Sequence, residues 1–521
     1  MTNPSTLYRG GVLHCPADPS ATALLVSGGR IAWLGTDGDA PPADRVVDLD
    51  GALVTPAFVD AHVHATDTGL ALSGLELSGV RSAGQLLDAV AGFAAELPAD
   101  AVVLGHGWDE SGWSDTALPD AAALDRAAAG RRVYLSQASI HSALVSSALL
   151  AACPQAAEAP GYDASGWLRR DAHHVVRAAA QGSVTRAQRV AAQRVALAHA
   201  ASLGIAAVHE CGGPEISDEE DFTGLLGISG AGLPEVYGYW GELGGAARAR
   251  ELGAVGAGGD LFADGALGSR TAHVSQPYGD GDGCGHGYLS AEQVRDHLLD
   301  CAAQGLQGGF HAIGDAAIGT VLDGFAAAAA TLGVERLRAA RHRIEHAEIM
   351  NKRMIARFVE YGIVASMQPA FDRLWGGAGR MYEARLGLDR SLESNPMGAM
   401  HSVGVALAFG SDSPVTPLDP WGSVRAAAAH HNPAQRMSVR SAFAAHTRGG
   451  WRAVHLDVEG VLALGAPATF AVWSTPAGVE RGLPVLVAED PEVRGPDDPT
   501  PLPVCRRLVL RGEVIYEEGS S

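Results

Sequence analysis

Val54-Thr55-Pro56-Ala57-Phe58-Val59-Asp60-Ala61-His62-Val63-His64 decides how the rest of the chain is read. It reads as a short apolar strand that ends in two histidines one residue apart. Strand side chains alternate faces, so His62 and His64 point the same way and can share one metal ion. A bare His-x-His triplet also fits a strand with two solvated histidines. The missing ligands have to come from elsewhere in the chain.

From residue 57 to 457, short apolar runs alternate with helical patterns, the signature of β/α units around a parallel sheet. Runs at 204–209, 234–239, 260–263, 305–311, 341–346, 363–368 and 403–412 join the opening strand to make eight, the number that closes a TIM (β/α)8 barrel. Helices are expected over 185–202, 291–303, 315–332, 350–361 and 395–402. Residues 70–180 break this period. They carry their own helices (82–96, 143–151) and strands (101–105, 132–137) and read as an insertion after strand one, a lid or substrate module. Residues 370–394 form a second, shorter insertion. The chain ends, 1–56 and 458–521, read as β, with hairpin signals at Gly28-Gly29 and Arg511-Gly512. Together they can build one small composite β-sandwich, since termini often lie close together.

The whole chain of 521 residues exceeds one compact core. A net charge of −21 disfavours nucleic acid and anionic membranes as partners, since both are polyanions. There is no signal-peptide pattern at the start and no run of about 18 apolar residues for a membrane span. The six cysteines are scattered without a CxxC pair, which fits reduced thiols in a cytoplasmic protein. The partner implied is a small-molecule substrate, and a homodimer would be unsurprising. Lysine occurs once, at Lys352.

The strand ends can now be compared. His62 and His64 end strand one, His311 the fifth, His346 the sixth and Asp412 the eighth. In a TIM barrel these ends meet at the C-terminal mouth. Four imidazoles and a carboxylate are a metal site by ligand type, suited to zinc and also to iron or manganese.

These residues lie in stretches that resemble the amidohydrolase superfamily. The branch is the amidohydrolase 3 family, which includes N-substituted formamide deformylase and the YtcJ-like proteins. The stretches are Thr55 to His64, Gly105-His106-Gly107-Trp108-Asp109-Glu110, Leu261 to Ala272, His311-Ala312-Ile313-Gly314-Asp315, Arg343-Ile344-Glu345-His346-Ala347 and Gly410-Ser411-Asp412-Ser413-Pro414-Val415. The resemblance covers nearly the whole chain. It implies a metal-dependent hydrolase of C–N bonds other than peptide bonds. The substrate would be a linear amide or formamide, with Asp412 as proton carrier to the leaving nitrogen. Two alternatives stand beside it: deamination of a cyclic amidine, and a catalytically inactive binding barrel.

The chain also departs from the pattern. Many binuclear relatives bridge two metals with a carboxylated lysine on strand four, directly before the Leu-Phe-Ala-Asp-Gly stretch. Here that position is Asp260. Either Asp260 bridges as a plain carboxylate, or the site holds one ion, or Asp260 is structural and catalysis is lost. Asp315 and Glu345 are candidates to orient ligand imidazoles, or ordinary acids. His209, beside Glu210, is a candidate pocket residue. Trp108, Asp109 and His141 come from the insertion as candidate substrate residues, and packing is an equal reading for Trp108. Asp264 and Arg270 flank a glycine-rich loop. They could pair to hold it, or Arg270 could meet an anionic substrate group. His173-His174 and His430-His431 read as surface pairs.

Overall fold

Eight parallel strands lie side by side in chain order in the computed structural model, which describes residues 4–113, 117–138, 142–488, 495 and 497–519. They are β1 (Phe58–Val63), β2 (Ile205–Gly212), β3 (Glu235–Trp240), β4 (Gly256–Ala257), β5 (Gln307–Ala312), β6 (Arg343–His346), β7 (Val364–Met367) and β8 (Ala406–Phe409). Every residue of β1, β2, β5, β6 and β7 is buried, as expected of strands covered on both faces. The last strand returns to the first. Asp412 N–H donates to the His62 carbonyl at 2.8 Å, and His64 N–H to the Ser413 carbonyl at 2.9 Å. The sheet is thus a nearly closed α/β barrel.

Helices α1 (Ala291–Gln304) and α2 (Asp315–Leu332) flank β5 in sequence. α1 starts in a capping box between Ser290 and Gln293 and stops at Gly305 in the left-handed conformation (φ 67°). α2 is long and apolar enough to cross a membrane by composition alone. Here it buries Ile318, Val321, Leu322 and Phe325 and packs closely on α1, where a β-carbon at Gly324 would meet Val294 at 2.4 Å.

The expected fourth strand, 260–263, is displaced. The sheet uses Gly256–Ala257 instead, and Gly258 (φ 151°) and Gly259 (φ 78°) then turn the chain. At Gly258 the backbones come so close that a β-carbon would sit 2.3 Å from Gly309 N. The chain rejoins β5 only through an isolated bridge between Phe262 and His311. Asp260 therefore occupies a kink beyond β4, not a strand position.

At the chain ends, Thr6–Arg9, Ala23–Ser27, Arg30–Gly35 and Arg45–Asp48 form one sheet. Val12–Leu13, Leu53–Pro56, Phe470–Ser474, Val504–Leu510 and Glu513–Glu517 form another. One apolar cluster joins residues of both, including Tyr8, Leu24, Ile31, Phe470 and Val509.

Residues 66–196 separate as a compact unit with its own core, wider than the 70–180 expected from periodicity. Its edges are helical. The helix Ala65–Ser73 meets the helix Arg186–Ser202 so closely that a β-carbon at Gly69 would fall 1.8 Å from the Ala192 carbonyl oxygen. The helix expected over 143–151 is instead a strand, Ser142–Val145, and a short helix, Ser147–Ala151. Ser146 divides them by accepting the Leu149 N–H as N-cap.

Candidate metal centre

At the C-terminal ends of β1, β5, β6 and β8, four imidazoles and two carboxylates converge. Asp260 Oδ1 lies 3.5 Å from His62 Nε2, 3.4 Å from His311 Nδ1 and 3.7 Å from His346 Nε2, and its Oδ2 lies 3.2 Å from His64 Nε2. Asp412 Oδ1 is 3.4 Å from His62 Nε2 and 3.2 Å from His64 Nε2. Two ligand atoms about 2.1 Å from one tetrahedral ion lie about 3.4 Å apart, so this is the spacing of donors that share a cation. His62 Nε2, His311 Nδ1, His346 Nε2 and Asp260 Oδ1 are buried and make no hydrogen bond. Most buried polar atoms are paired, so four bare ones gathered around one point leave donors for an ion. The residues fit a divalent metal.

Backbone strain gathers at the same place. His346 (φ 68°), Ala347 (φ 48°) and Asp412 (φ 58°) hold left-handed conformations unfavourable to side chains.

The charges agree with the geometry. Burial alone would raise the Asp260 carboxyl, but His62, His311 and His346 hold it well below the usual range. Asp412 is likewise held low against burial, by His62 and His64. Burial would lower His64, but Asp260 and Asp412 raise it well above an ordinary histidine. The two ionised carboxylates supply the negative charge that a cation among these imidazoles would need.

Further groups hold the ligands in place. His62 Nδ1 donates to Glu345 Oε2 at 2.9 Å, which leaves Nε2 to face the carboxylates. Glu345 is gripped by the fully buried Arg343, with Nε–Oε1 at 2.5 Å and Nη2–Oε2 at 2.8 Å. Burial opposes ionisation of Glu345, but Arg343 and His62 bring its pKa down to about 2. Arg343 also reaches Ser366 Oγ at 2.9 Å and stacks over Tyr239 at 4.3 Å. His346 Nδ1 donates to Gln368 Oε1 at 2.8 Å, and the Phe371 ring stacks on it at 5.8 Å. His311 Nε2 faces the Gly265 carbonyl at 3.3 Å.

Of the residues expected from sequence, the structure brings together His62, His64, His311, His346, Asp412, Asp260 and Glu345. Others lie elsewhere. Asp315 reaches no ligand imidazole. It accepts the Ser275 N–H at 2.8 Å and the Ser275 hydroxyl. His209 is fully buried and accepts from Arg343 at 3.1 Å, so it supports the barrel interior. Arg270 is exposed and pairs with Asp280 at 2.9 Å, not with Asp264. Asp264 instead accepts the backbone N–H groups of His273, Ile313 and Gly314 at 2.8, 3.0 and 2.8 Å.

Within the 66–196 unit, Trp108 is fully buried and donates to the Leu135 carbonyl at 2.8 Å, a packing role. Asp109 is exposed and caps a turn through Ser111 N–H at 3.0 Å. His141 lies outside the described residues. His173 and His430 are buried rather than surface residues, beside Tyr134 (2.8 Å) and Asp372 (3.3 Å).

Sequence reasoning missed Arg343, Gln368, Phe371 and Glu348. Arg343 had a signal, since it stands two residues before Glu345 on the same strand face. Glu348 had none. It is buried, takes the Tyr382 hydroxyl, and is pushed up to about 7 by burial.

A cavity of about 720 Å³ opens beside Asp260, with Ile216, Leu243, Leu261 and Phe262 on its walls. Its other charged residues, Glu215, Glu242 and Asp264, are all carboxylates, and no basic side chain lines it among the described residues.

A parallel α/β barrel with this cluster at its strand ends defines a metal-dependent hydrolase. A model of the amidohydrolase family matches residues 45–516, and the chain belongs to that family. It is 25% identical to the putative amidohydrolase YtcJ of Bacillus subtilis (strain 168), over 98% of this chain and 99% of that one. It is 34% identical over 225 residues to Protein LONG AFTER FAR-RED 3 of Arabidopsis thaliana, covering 41% of this chain and 38% of that one. Among solved structures, an uncharacterized metal-dependent hydrolase from Pyrococcus furiosus superposes with a TM-score of 0.75 at 24% identity, over 90% of this chain and 98% of that one.

Proposed function

We propose that this chain hydrolyses a non-peptide C–N bond in a linear amide or formamide. His62, His64, His311 and His346, with the Asp260 carboxylate, would hold two divalent ions, zinc before iron or manganese. The observation that carries this reading is the position of Asp260, whose two oxygens face different histidines: Oδ1 faces His62, His311 and His346, and Oδ2 faces His64.

A bound ion of this kind brings the pKa of water near neutrality and polarises a carbonyl. The protein groups do the rest. Asp412, ionised and within 3.4 Å of His62 and His64, accepts the proton of the attacking water and returns it to the leaving nitrogen. Glu345 and Gln368 keep the Nδ1 atoms of His62 and His346 occupied, so that Nε2 stays available in each ring. The cavity beside Asp260 offers apolar walls and carboxylates, which favours a neutral or cationic substrate over an anionic one. The 66–196 unit is read as the substrate module, and the two end sheets as one composite domain.

Asp412→Asn tests the assignment on a panel of N-formyl and N-acyl amines. Metal content should stay near wild type while kcat falls about 10²–10⁴-fold. Turnover close to wild type would overturn the role. Ammonia release from cyclic amidines, without cleavage of the linear amides, would replace the reaction by deamination.

A further inference from the structure

At the end of the barrel opposite the histidines lies a second cavity, of about 450 Å³, walled by the chain entering β7 and β8. Arg338, Arg341, Arg448, Arg452 and His401 line it, and no carboxylate does among the described residues. Four guanidinium groups converge here in a chain whose net charge is −21. They come from two stretches of backbone. Arg338 lies in the helix Val334–Ala340 and Arg341 is its C-cap. Arg448 sits in the π-helical turn Ala445–Gly449, and Arg452 in Gly450–Ala453.

Three of the four are partly committed. Arg341 Nη2 and Arg452 Nε share Asp457, at 2.8 and 3.3 Å. Arg338 Nη1 donates to the Val359 and Glu360 carbonyls at 3.0 and 3.1 Å. Asp457 thus offsets two of the four positive charges, and no carboxylate pairs with the other two among the described residues. Arg448 is exposed and has no hydrogen-bond or ion-pair partner among the described residues.

Four guanidinium groups around one cavity that no carboxylate lines among the described residues make it electropositive. An anion in the cavity would offset that charge and use the free guanidinium N–H groups. The planar fork of arginine matches phosphate oxygens two at a time. The volume is that of small-molecule sites, roughly 300–1,000 Å³. The π-helical turn is itself a feature often found where a chain is shaped for a ligand.

We propose that this cavity is a binding site for a phosphate group, free or carried as a monoester, separate from the metal centre. The site takes the ligand without chemistry.

The test uses the full-length, metal-loaded protein. Inorganic phosphate and a nucleoside monophosphate are titrated by calorimetry, and thermal unfolding is followed against sodium chloride at equal ionic strength. The expected result is one arginine-dependent site per chain and a rise in Tm beyond that given by chloride. Arg448→Gln should weaken binding at least about tenfold, the worth of a charge-assisted hydrogen bond. Tm without phosphate and turnover should change little, because the Arg448 side chain has no hydrogen-bond or ion-pair partner among the described residues and is not one of the groups around the metal centre. Arg448→Gln/Arg452→Gln should abolish the site. Tighter binding of the monophosphate would identify the ester as the ligand, and equal binding free phosphate. Stabilisation no greater than that of chloride, or phosphate binding that both variants retain in full, would overturn the proposal.

Discussion

His64 and His311 at the barrel mouth, and His342 and His446 deeper in the fold, are all largely enclosed, yet they behave in opposite ways. His342 Nδ1 accepts the Gly308 N–H at 2.8 Å, and His446 Nδ1 meets the Val59 carbonyl at 2.9 Å. Burial lowers both, His342 to about 3. At the mouth burial acts in the same direction, but Asp260 with Asp412 raises His64, and Asp260 with Asp264 raises His311. Burial alone therefore does not mark a metal ligand. The mark is several rings turning bare nitrogens to one carboxylate oxygen, as His62, His311 and His346 do to Asp260 Oδ1.

The sharpest challenge to this contrast is Glu345→Gln. It leaves Arg343 buried without its counter-charge, which should cost about 3–5 kcal/mol in denaturant unfolding. It also weakens the grip on His62 Nδ1, so metal affinity by chelator competition should fall about 10–100-fold. Unchanged affinity would mean that the held nitrogen does not matter.

A smaller effect tests the other group. An unfolded histidine takes up its proton near 6.5, but folded His342 only near 3. Between those values the unfolded state binds more protons, so stability falls as pH drops from about 6.5 toward 3. At pH 5.5 this one residue should cost about 1.4 kcal/mol. His342→Gln keeps an acceptor for Gly308 N–H and should flatten that part of the stability profile. An unaltered profile would show that His342 is not the group titrating.

The smallest effect is expected at Arg270. Its pair with Asp280 is exposed and screened by solvent, so Arg270→Ala should leave the unfolding midpoint nearly unchanged and turnover unchanged. A large loss of kcat/KM would restore Arg270 as a substrate residue.

Much of the mouth was legible in the sequence because ligands on a barrel fall at strand ends, and strand ends can be counted. His62, His64, His311, His346 and Asp412 were found this way. Asp260 stood out as a departure, but its kink did not. Leu261-Phe262-Ala263 has the composition of a strand, and only the close backbone approach at Gly258 shows why pairing stops earlier. Asp315 stayed open between a ligand-orienting acid and an ordinary one because its partner, Ser275, is 40 residues away and nothing local selects it over a histidine. Trp108 could not be assigned from composition, since an indole suits a core and a pocket equally. Arg343 was within reach, because its alternation with Glu345 puts both on one face.

The proposed two-ion site turns on Asp260, whose two oxygens face different histidines. Elemental quantification of the freshly purified protein tests it most directly. Two transition-metal equivalents per chain are predicted. A protein that keeps one or none after saturation with zinc would contradict it.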